Sequence, residues 1–472
     1  MCGDRERQKI GVRKKVQKLT LKEIAHAVNG TLDEKWNDLE ISAISSDTRQ
    51  IEPDCLFVAF RGENFDGHHF IRKAFSLGAK AALSDRTVER EDDMPQKPVV
   101  YVEDTLLAFG ALAAYYKKKF SVYTVGITGS VGKTSTKEMV YTVMREKYKV
   151  LKTEGNFNNQ IGMPRTLFSL DNSYSGAVLE MGMCELEEIS YLSKIARPDL
   201  GVITNIGVSH LENLGTRENI LKAKLEILDG MPPEGKLILN ADNDMLQTQR
   251  DRLGNRALWY GLETPGDVTA EEIRQEGDST CFTVCYQDKR YPAEVPAIGV
   301  HNVYNALAAF LVGIEIGLAP QQIIESYRQY QNAGMRQRVT IKKGVKVIED
   351  CYNASPDSME SAINVISAIP CEGKRIAVFG DMLELGEQSG QMHRHVGHRA
   401  AGSKIDELLC TGGEAEAIVK GAEESGLEAK YFSTKNALAD YLKKALKPGD
   451  AVIFKASRGM KLEEVIEAVF PE

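Results

Sequence analysis

At 472 residues, with 43% hydrophobic and 27% charged side chains, the chain is long enough for about two to four domains with full cores and has the make-up of an ordinary soluble protein. A formal net charge of -8 argues against a general nucleic-acid surface, whose footprint is basic, while leaving room for local basic patches. The eight cysteines, at 2, 55, 184, 281, 285, 351, 371 and 410, are scattered without zinc-like CxxC spacing, and no apolar run has the length of a membrane span.

Residues 1–17 are polar and basic without apolar periodicity, and are expected to form a mobile tail. No signal peptide precedes the cysteines, so reduced thiols in a cytoplasmic protein are the expectation. A short helix is predicted over 19–28. From 41 to 102 short β-rich runs alternate with one helix, and two polar stretches stand out: SSDTR at 45–49 and FRGENFDGHHF at 60–70. A cluster of Ser, Asp, Thr and Arg between strands suits a sugar nucleotide, with an arginine on its diphosphate, and equally suits a capped turn. Residues 104–119 read as a helix leading into a central region.

That region is organised around TVGITGSVGKTSTKEM, residues 124–139, which reads as buried strand, glycine-rich loop and helix. A loop that wraps phosphate needs glycines to turn backbone N–H groups inward, a helix N-terminus, a lysine and a hydroxyl for Mg²⁺; Gly129, Gly132, Lys133 and Thr134 supply them. Ile127 stands where the strict pattern has glycine, so the loop is a variant. The flanking strand and helix favour phosphate binding over a chance Gly-Lys-Thr turn.

Residues 104–331 repeat strand then helix, the pattern of a mostly parallel sheet covered on both faces, whose ligands bind beyond the carboxyl ends of the strands. Glu180 closes the strand GAVLE, and His210 follows GVITNIGVS. A carboxylate ending an apolar strand needs a partner or a metal, and with Thr134 it offers the hard oxygens Mg²⁺ prefers; a surface strand end is the plainer alternative. His210 is too soft a donor to be the first choice for Mg²⁺, and capping or hydrogen bonding fits it. Lys224 falls on the apolar stripe of a helix capped by Thr216, either snorkelling outward or buried with a depressed pKa. Asn156, Asn158 and Asn159 enrich the loop TEGNFNNQIGMP, as loops often are. Asn302 and Asn305 stand three apart at a helix start, where they reach a base or cap the helix.

From about 332 the pattern restarts with strands near 346–348, 375–379, 407–410 and 451–454 separated by helices, a second unit of Rossmann type. Gly380, Asp381 and residues 455–458 lie at its ligand edge, and the absence of G-x-G-x-x-G argues against a dinucleotide. The fold class is therefore α/β in three domains: a small mixed α/β domain at 18–103, a central phosphate-loop domain at 104–331 and a Rossmann-like domain at 332–472.

TGSVGKTS, LEMG, NIGVSHLENLG followed by AKLE, HNVYNALAA and DCYNASP together resemble the Mur ligase family, ATP-dependent amide-forming enzymes of peptidoglycan synthesis. Within it, GDMLELG at 380–386 followed by His393, TEGNFNNQIGMP and KASRGMKLE point to the branch that joins D-alanyl-D-alanine to UDP-N-acetylmuramoyl-tripeptide. The Asp-Asn-Pro-Arg box of the branch that adds the third residue is missing.

The resemblance implies ATP along Thr128, Gly129, Ser130, Val131, Gly132, Lys133, Thr134 and Ser135, with Asn302 and Asn305 flanking adenine and Arg336 and Asp350 reaching across the domain gap. It implies magnesium, as two ions, on Thr134, Glu180, His210 and a carbamylated Lys224. Lys133, Glu180, His210 and Lys224 are the implied catalytic set. Ser46, Asp47, Thr48, Arg49, Asp66, Gly67 and His68 would hold the uridine diphosphate end. Asn158, Asn159, Tyr352, Asn353, Lys455, Ser457 and Arg458 would contact the peptides. A hinge at 333–336, a monomer and no nucleic-acid or membrane partner are the further expectations. Alternatives are a Mur ligase adding a single amino acid, a phosphate-loop kinase, and a non-catalytic nucleotide-binding regulator.

Overall fold

The computed structural model describes residues 16–62, 65–88, 96–332 and 334–471. Most of the expected tail, and Ala333 of the expected hinge, lie outside them. Val16 and Gln17, placed in that tail from sequence, are anchored instead: Val16 is buried and donates to Ser42 O at 2.9 Å, and Gln17 N donates to Tyr116 Oη at 2.8 Å.

Three main sheets carry the chain. The first is parallel, with β1 (Ala43–Ser45), β2 (Cys55–Val58), β3 (Ala81–Ser84) and β4 (Val99–Tyr101) in sequential order. Its middle strands, CLFV and AALS, are buried throughout, as covered parallel strands must be.

The second sheet has nine strands: β5 (Tyr123–Thr128), β6 (Val150–Lys152), β7 (Gly176–Glu180), β8 (Leu200–Ile203), β9 (Lys236–Asn240), β10 (Ala257–Gly261), β11 (Val268–Glu276), β12 (Ser279–Tyr286) and β13 (Lys289–Val295). Their order is β6-β7-β5-β8-β9-β10-β11-β12-β13, parallel as far as β11 and antiparallel beyond. The chain runs from β5 to β6 and β7 on one side and then to β8 on the other, which opens a ligand crevice at the carboxyl end of β5. The register sets Glu180 beside Ile127 and Ile203 beside Thr128.

The third sheet comprises β14 (Arg338–Lys342), β15 (Val345–Glu349), β16 (Arg375–Gly380), β17 (Glu407–Thr411), β18 (Ala429–Phe432) and β19 (Ala451–Lys455), ordered β14-β15-β19-β16-β17-β18. Only β14 runs antiparallel to its neighbour.

Helix Thr105–Lys117, capped by Asp104 accepting from Leu107 N, ties the first sheet to the second. It buries Phe109, Leu112 and Tyr116 in a core shared by Leu21, Leu56, Leu167 and Leu179; each large apolar side chain contributes about 1.5–3 kcal/mol. On the other face of the nine-stranded sheet, helix His301–Glu315 packs Val303, Leu307 and Phe310 against Val140 and Ile238. Edge strands β14 and β18, and the antiparallel pairing of β11–β13, lie outside the expected strand–helix repeat. β14 exposes Arg338 and Ile341, and β18 exposes Tyr431, so neither shows an apolar run.

Candidate active site

β5 ends at Thr128, and helix Lys133–Met144 starts after Gly132. Gly129 has φ +147°, and a Cβ there would lie 1.9 Å from Thr204 Oγ1, so no other residue fits the turn. Residues just beyond β8 brace the loop. Ser130 N donates to Asn205 O at 3.0 Å and Val131 N to Asn205 Oδ1 at 2.9 Å, while Thr204 Oγ1 donates to Val131 O at 2.6 Å. Gly132 has no side chain to cap the helix, so its first-turn amides are left for an anion at the positive end of the dipole. Lys133 folds over the loop, donating to Gly129 O at 2.7 Å and Ser130 O at 3.2 Å. Burial pushes its ammonium below the ordinary lysine value, and the Glu180 charge opposes that. This cradle fits a polyphosphate.

Glu180 closes β7 fully buried, and each of its oxygens takes one donor: Thr134 Oγ1 to Oε2 at 2.8 Å and Asn158 Nδ2 to Oε1 at 2.8 Å. Its backbone N–H donates to Thr153 Oγ1 at 3.0 Å. Lys137, buried one turn into the loop helix, donates to Thr153 O at 2.7 Å. The Thr134 hydroxyl and the Glu180 carboxylate therefore form an adjacent oxygen pair beside the phosphate cradle, a donor set that suits Mg²⁺.

Lys224 lies on helix Arg217–Leu225, whose cap is Thr216 accepting from Asn219 N at 3.3 Å. It is 1% exposed, and its ammonium has neither hydrogen bond nor ion pair among the described residues. Burial first, and the nearby Lys133 charge second, lower its pKa well below the ordinary value. The snorkelling alternative is thus overturned: helix Arg217–Leu225 turns this residue inward.

His210 has φ +63° and begins the short helix Leu211–Leu214 without capping it. Its Nδ1 lies 3.0 Å from Glu384 Oε2, which comes from the loop after β16 of the third sheet. The structure therefore joins Thr134 to Glu180 but sets His210 against Glu384. Among the described residues no group of three or more His, Cys, Asp and Glu is arranged to hold a metal.

Asn302 and Asn305 are both buried, and neither caps the helix, which begins after Val300. Asn302 Nδ2 donates to Ile298 O at 3.0 Å, and Thr136 Oγ1 from the loop helix donates to Asn305 Oδ1 at 2.8 Å. The capping alternative gives way to a brace between the two helices. Nearby, His301 Nε2 lies 2.9 Å from Gln337 Oε1, and Arg336 stacks on Tyr352 with its guanidinium carbon 4.1 Å from the ring centroid. Arg338 is instead exposed on β14.

Asp350 and Lys455, expected on different substrates, are partners in a buried ion pair at 2.8 Å, with Lys455 also donating to Asn353 O at 2.9 Å. Ser457 Oγ accepts from Leu383 N at 2.9 Å, and Arg458 pairs with Glu463 at 2.6 Å. Asp381 accepts from Gly413 N, Glu414 N and Ala415 N, the turn that leads into helix Glu416–Glu424.

In the first unit SSDTR is a capped turn: Asp47 Oδ1 accepts from Arg49 N at 2.9 Å, and the Arg49 side chain grips the same carboxylate, 2.8 Å from Nη2 to Oδ2. Thr48 starts the one-turn helix Thr48–Gln50. Gly67 follows Asp66, whose carboxylate caps His68 N at 3.0 Å and meets the His68 ring at 2.6 Å. Asn159 Oδ1 accepts from Gly162 N at 2.8 Å and starts helix Gly162–Leu167.

Sequence reasoning missed Thr153, Asn205 and Lys137. Asn205 stands two residues beyond β8, at the same sheet edge as Gly129 beyond β5, so the after-strand rule had the means to single it out.

A phosphate loop at the carboxyl edge of a parallel sheet, with an oxygen pair beside it and a further α/β lobe that meets it at His210 and Glu384, defines a multidomain phosphate-loop nucleotide-binding protein. Residues 40–117 match the Mur ligase family catalytic domain, 127–313 the Mur ligase middle domain and 335–458 the Mur ligase glutamate ligase domain. The chain belongs to the Mur ligase family. It is 38% identical over 454 residues to the UDP-N-acetylmuramoyl-tripeptide--D-alanyl-D-alanine ligase of Bacillus subtilis (strain 168), covering 95% of this chain and 98% of that one. A crystal structure of MurF from Acinetobacter baumannii superposes with a TM-score of 0.90 at 30% identity, covering 97% of this chain and 100% of that one. A MurF ligase from Thermotoga maritima in complex with ADP superposes with a TM-score of 0.81 at 30% identity, covering 90% and 96% respectively.

Proposed function

We propose that the chain joins D-alanyl-D-alanine to UDP-N-acetylmuramoyl-tripeptide with ATP, forming ADP and phosphate, as a step of peptidoglycan precursor synthesis. Relatives of that name match it almost end to end. The observation that carries the chemistry is the contact of Thr134 with Glu180 beside an uncapped helix start.

In this reading residues 18–103 hold the uridine diphosphate end, 104–331 hold ATP, and 332–472 bring the dipeptide. Thr134 and Glu180, with His210 once it leaves Glu384, are the residues that would hold magnesium, which would neutralise charge on the phosphates. The Gly129–Gly132 turn and Lys133 bind the phosphates and offset the charge that gathers as the tripeptide carboxylate attacks the γ-phosphorus. Asn158 holds Glu180 in place. The dipeptide amine then adds to the acyl phosphate carbonyl, a proton leaves the nitrogen, and inorganic phosphate departs as the amide forms. Asn302 and Asn305 face the adenine, and Arg336 approaches from the linker on its Tyr352 support.

Lys224 deepens the reading. Burial favours the neutral, nucleophilic form of this amine, and addition of that form to CO₂ with loss of a proton gives a carbamate, an anionic oxygen ligand. A cytoplasmic monomer completes the proposal; among the described residues no helix is long and apolar enough to cross a membrane.

The test is phosphate release from ATP with UDP-muramoyl-tripeptide present and D-alanyl-D-alanine added last. Phosphate and a new amide should appear together on that addition. Equal turnover with single amino acids would place the chain in another branch, a stable phosphorylated product would make it a kinase, and ATP binding without turnover would make it a regulator.

A further inference from the structure

The SSDTR turn is nearly neutral as it stands. Arg49 is held in a two-point grip on Asp47, so the cation that would meet a diphosphate is matched by an anion within the same turn. A second guanidinium approaches from another sheet's territory: Arg165, exposed on helix Gly162–Leu167, donates from Nη2 to Ser46 Oγ at 2.8 Å. Its charge also helps to hold the Asp47 carboxyl below the usual range, after the larger hydrogen bond from Arg49. Because Ser46 accepts from Arg165, its own hydroxyl hydrogen is directed elsewhere, and among the described residues it has no acceptor. A donor hydroxyl beside the Arg165 guanidinium, on the turn that carries Arg49, suits an anionic diphosphate.

The segment bearing Arg165 is also fixed at its other end. Asn158 holds Glu180, Asn159 starts the helix, and a Cβ on Gly162 would lie 2.3 Å from Phe157 Cα, so loop and helix are pressed together. One short rigid piece thus reaches from the magnesium carboxylate to the SSDTR turn.

We infer that Arg165 completes the diphosphate site for the sugar nucleotide, so that the site is shared by the first and second units and the segment 158–165 sets the distance from the diphosphate to the reacting carboxylate. This rests on the proposed ligase function. Arg165 brings a second guanidinium to the turn, and the substrate is held at both ends by one element.

The test is calorimetric titration of the full chain with UDP, alongside steady-state kinetics, for wild type, Arg165→Met and Arg165→Lys. Arg165→Met should weaken UDP about ten- to one-hundred-fold and raise KM for UDP-muramoyl-tripeptide to match, as expected for loss of a charge-assisted contact, with KM for ATP unmoved. Arg165→Lys should recover part of the loss. The wild-type affinity should fall with salt more steeply than that of Arg165→Met, which a merely structural role would not produce. Equal UDP affinity and equal salt slope in wild type and Arg165→Met would overturn the inference and leave the ligase reading standing. A wild-type chain that binds neither UDP nor UDP-muramoyl-tripeptide would overturn both.

Discussion

Thr134 and Glu180, 46 positions apart, meet at 2.8 Å because β5 and β7 are hydrogen-bonded neighbours whose carboxyl ends finish level. The hydroxyl belongs to the phosphate loop and the carboxylate to a separate strand, so their contact is made by the sheet order. A nucleotide-bound cation at that point would replace the hydrogen bond with contacts to both oxygens without rebuilding the backbone.

Glu180→Gln should therefore lower turnover about 10²–10³-fold while the fold persists, since the amide keeps its size and one acceptor but loses the charge. Asn158→Ala should cost about 10–100-fold, because it removes only the group that orients the carboxylate. Phosphate release at saturating ATP and a magnesium titration check both. Wild-type rates in Glu180→Gln would remove the metal role.

Lys224→Met should cut turnover more than about a hundredfold, and bicarbonate should raise the activity of wild type but not of the variant. Stability should move the other way. With its folded pKa well below 10.5, the buried amine holds its proton less readily than the same amine in the unfolded chain, which disfavours folding below the ordinary lysine pKa. Removing it should leave the melting temperature at pH 7 unchanged or higher in CO₂-free buffer, as calorimetry would show.

Gly129→Ala should abolish ATP binding, because its Cβ would sit 1.9 Å from Thr204 Oγ1 and φ +147° is strained for alanine. Displacement of a fluorescent ADP analogue would report it. If Thr204 is the obstacle, Thr204→Ala in the same chain should restore part of the binding.

Acid should loosen the docking of the first unit. Burial alone would push the Glu23 carboxyl up, but hydrogen bonds from Lys119 and Thr20 N–H outweigh it and hold it at about 2. A depressed carboxyl stabilises the fold above its ordinary value of 4.5, and that contribution fades as pH falls toward about 2. Glu23→Gln keeps the helix cap and removes the charge, so its melting temperature should decline less between pH 5 and 2.5 than that of wild type. Parallel declines would show that the pair adds nothing.

The phosphate loop, the strand-end carboxylate and the lysine on the apolar stripe were legible because each breaks a local pattern: glycines after a strand, a charge closing an apolar run, a cation on a buried face. What each side chain touches was not legible. Nothing near Asp350 in sequence announces Lys455, 105 positions on, and only the parallel pairing of β15 with β19 brings them together. Asn158 looked like any loop asparagine until β7 supplied Glu180. The edge strands β14 and β18 escaped notice because half-exposed strands lack the apolar run that marks covered ones.

The order β6-β7-β5-β8 has a consequence for how the protein is made. The phosphate-loop strand emerges from the ribosome before β7 and β8, the strands that come to flank it. Until residue 203 has been synthesised that strand has an open edge, and the nascent chain holds a glycine loop with neither its Thr204 brace nor, before residue 180, its acidic partner. Nucleotide affinity should therefore arise late in translation, when the last flanking strand slides in and closes the seat.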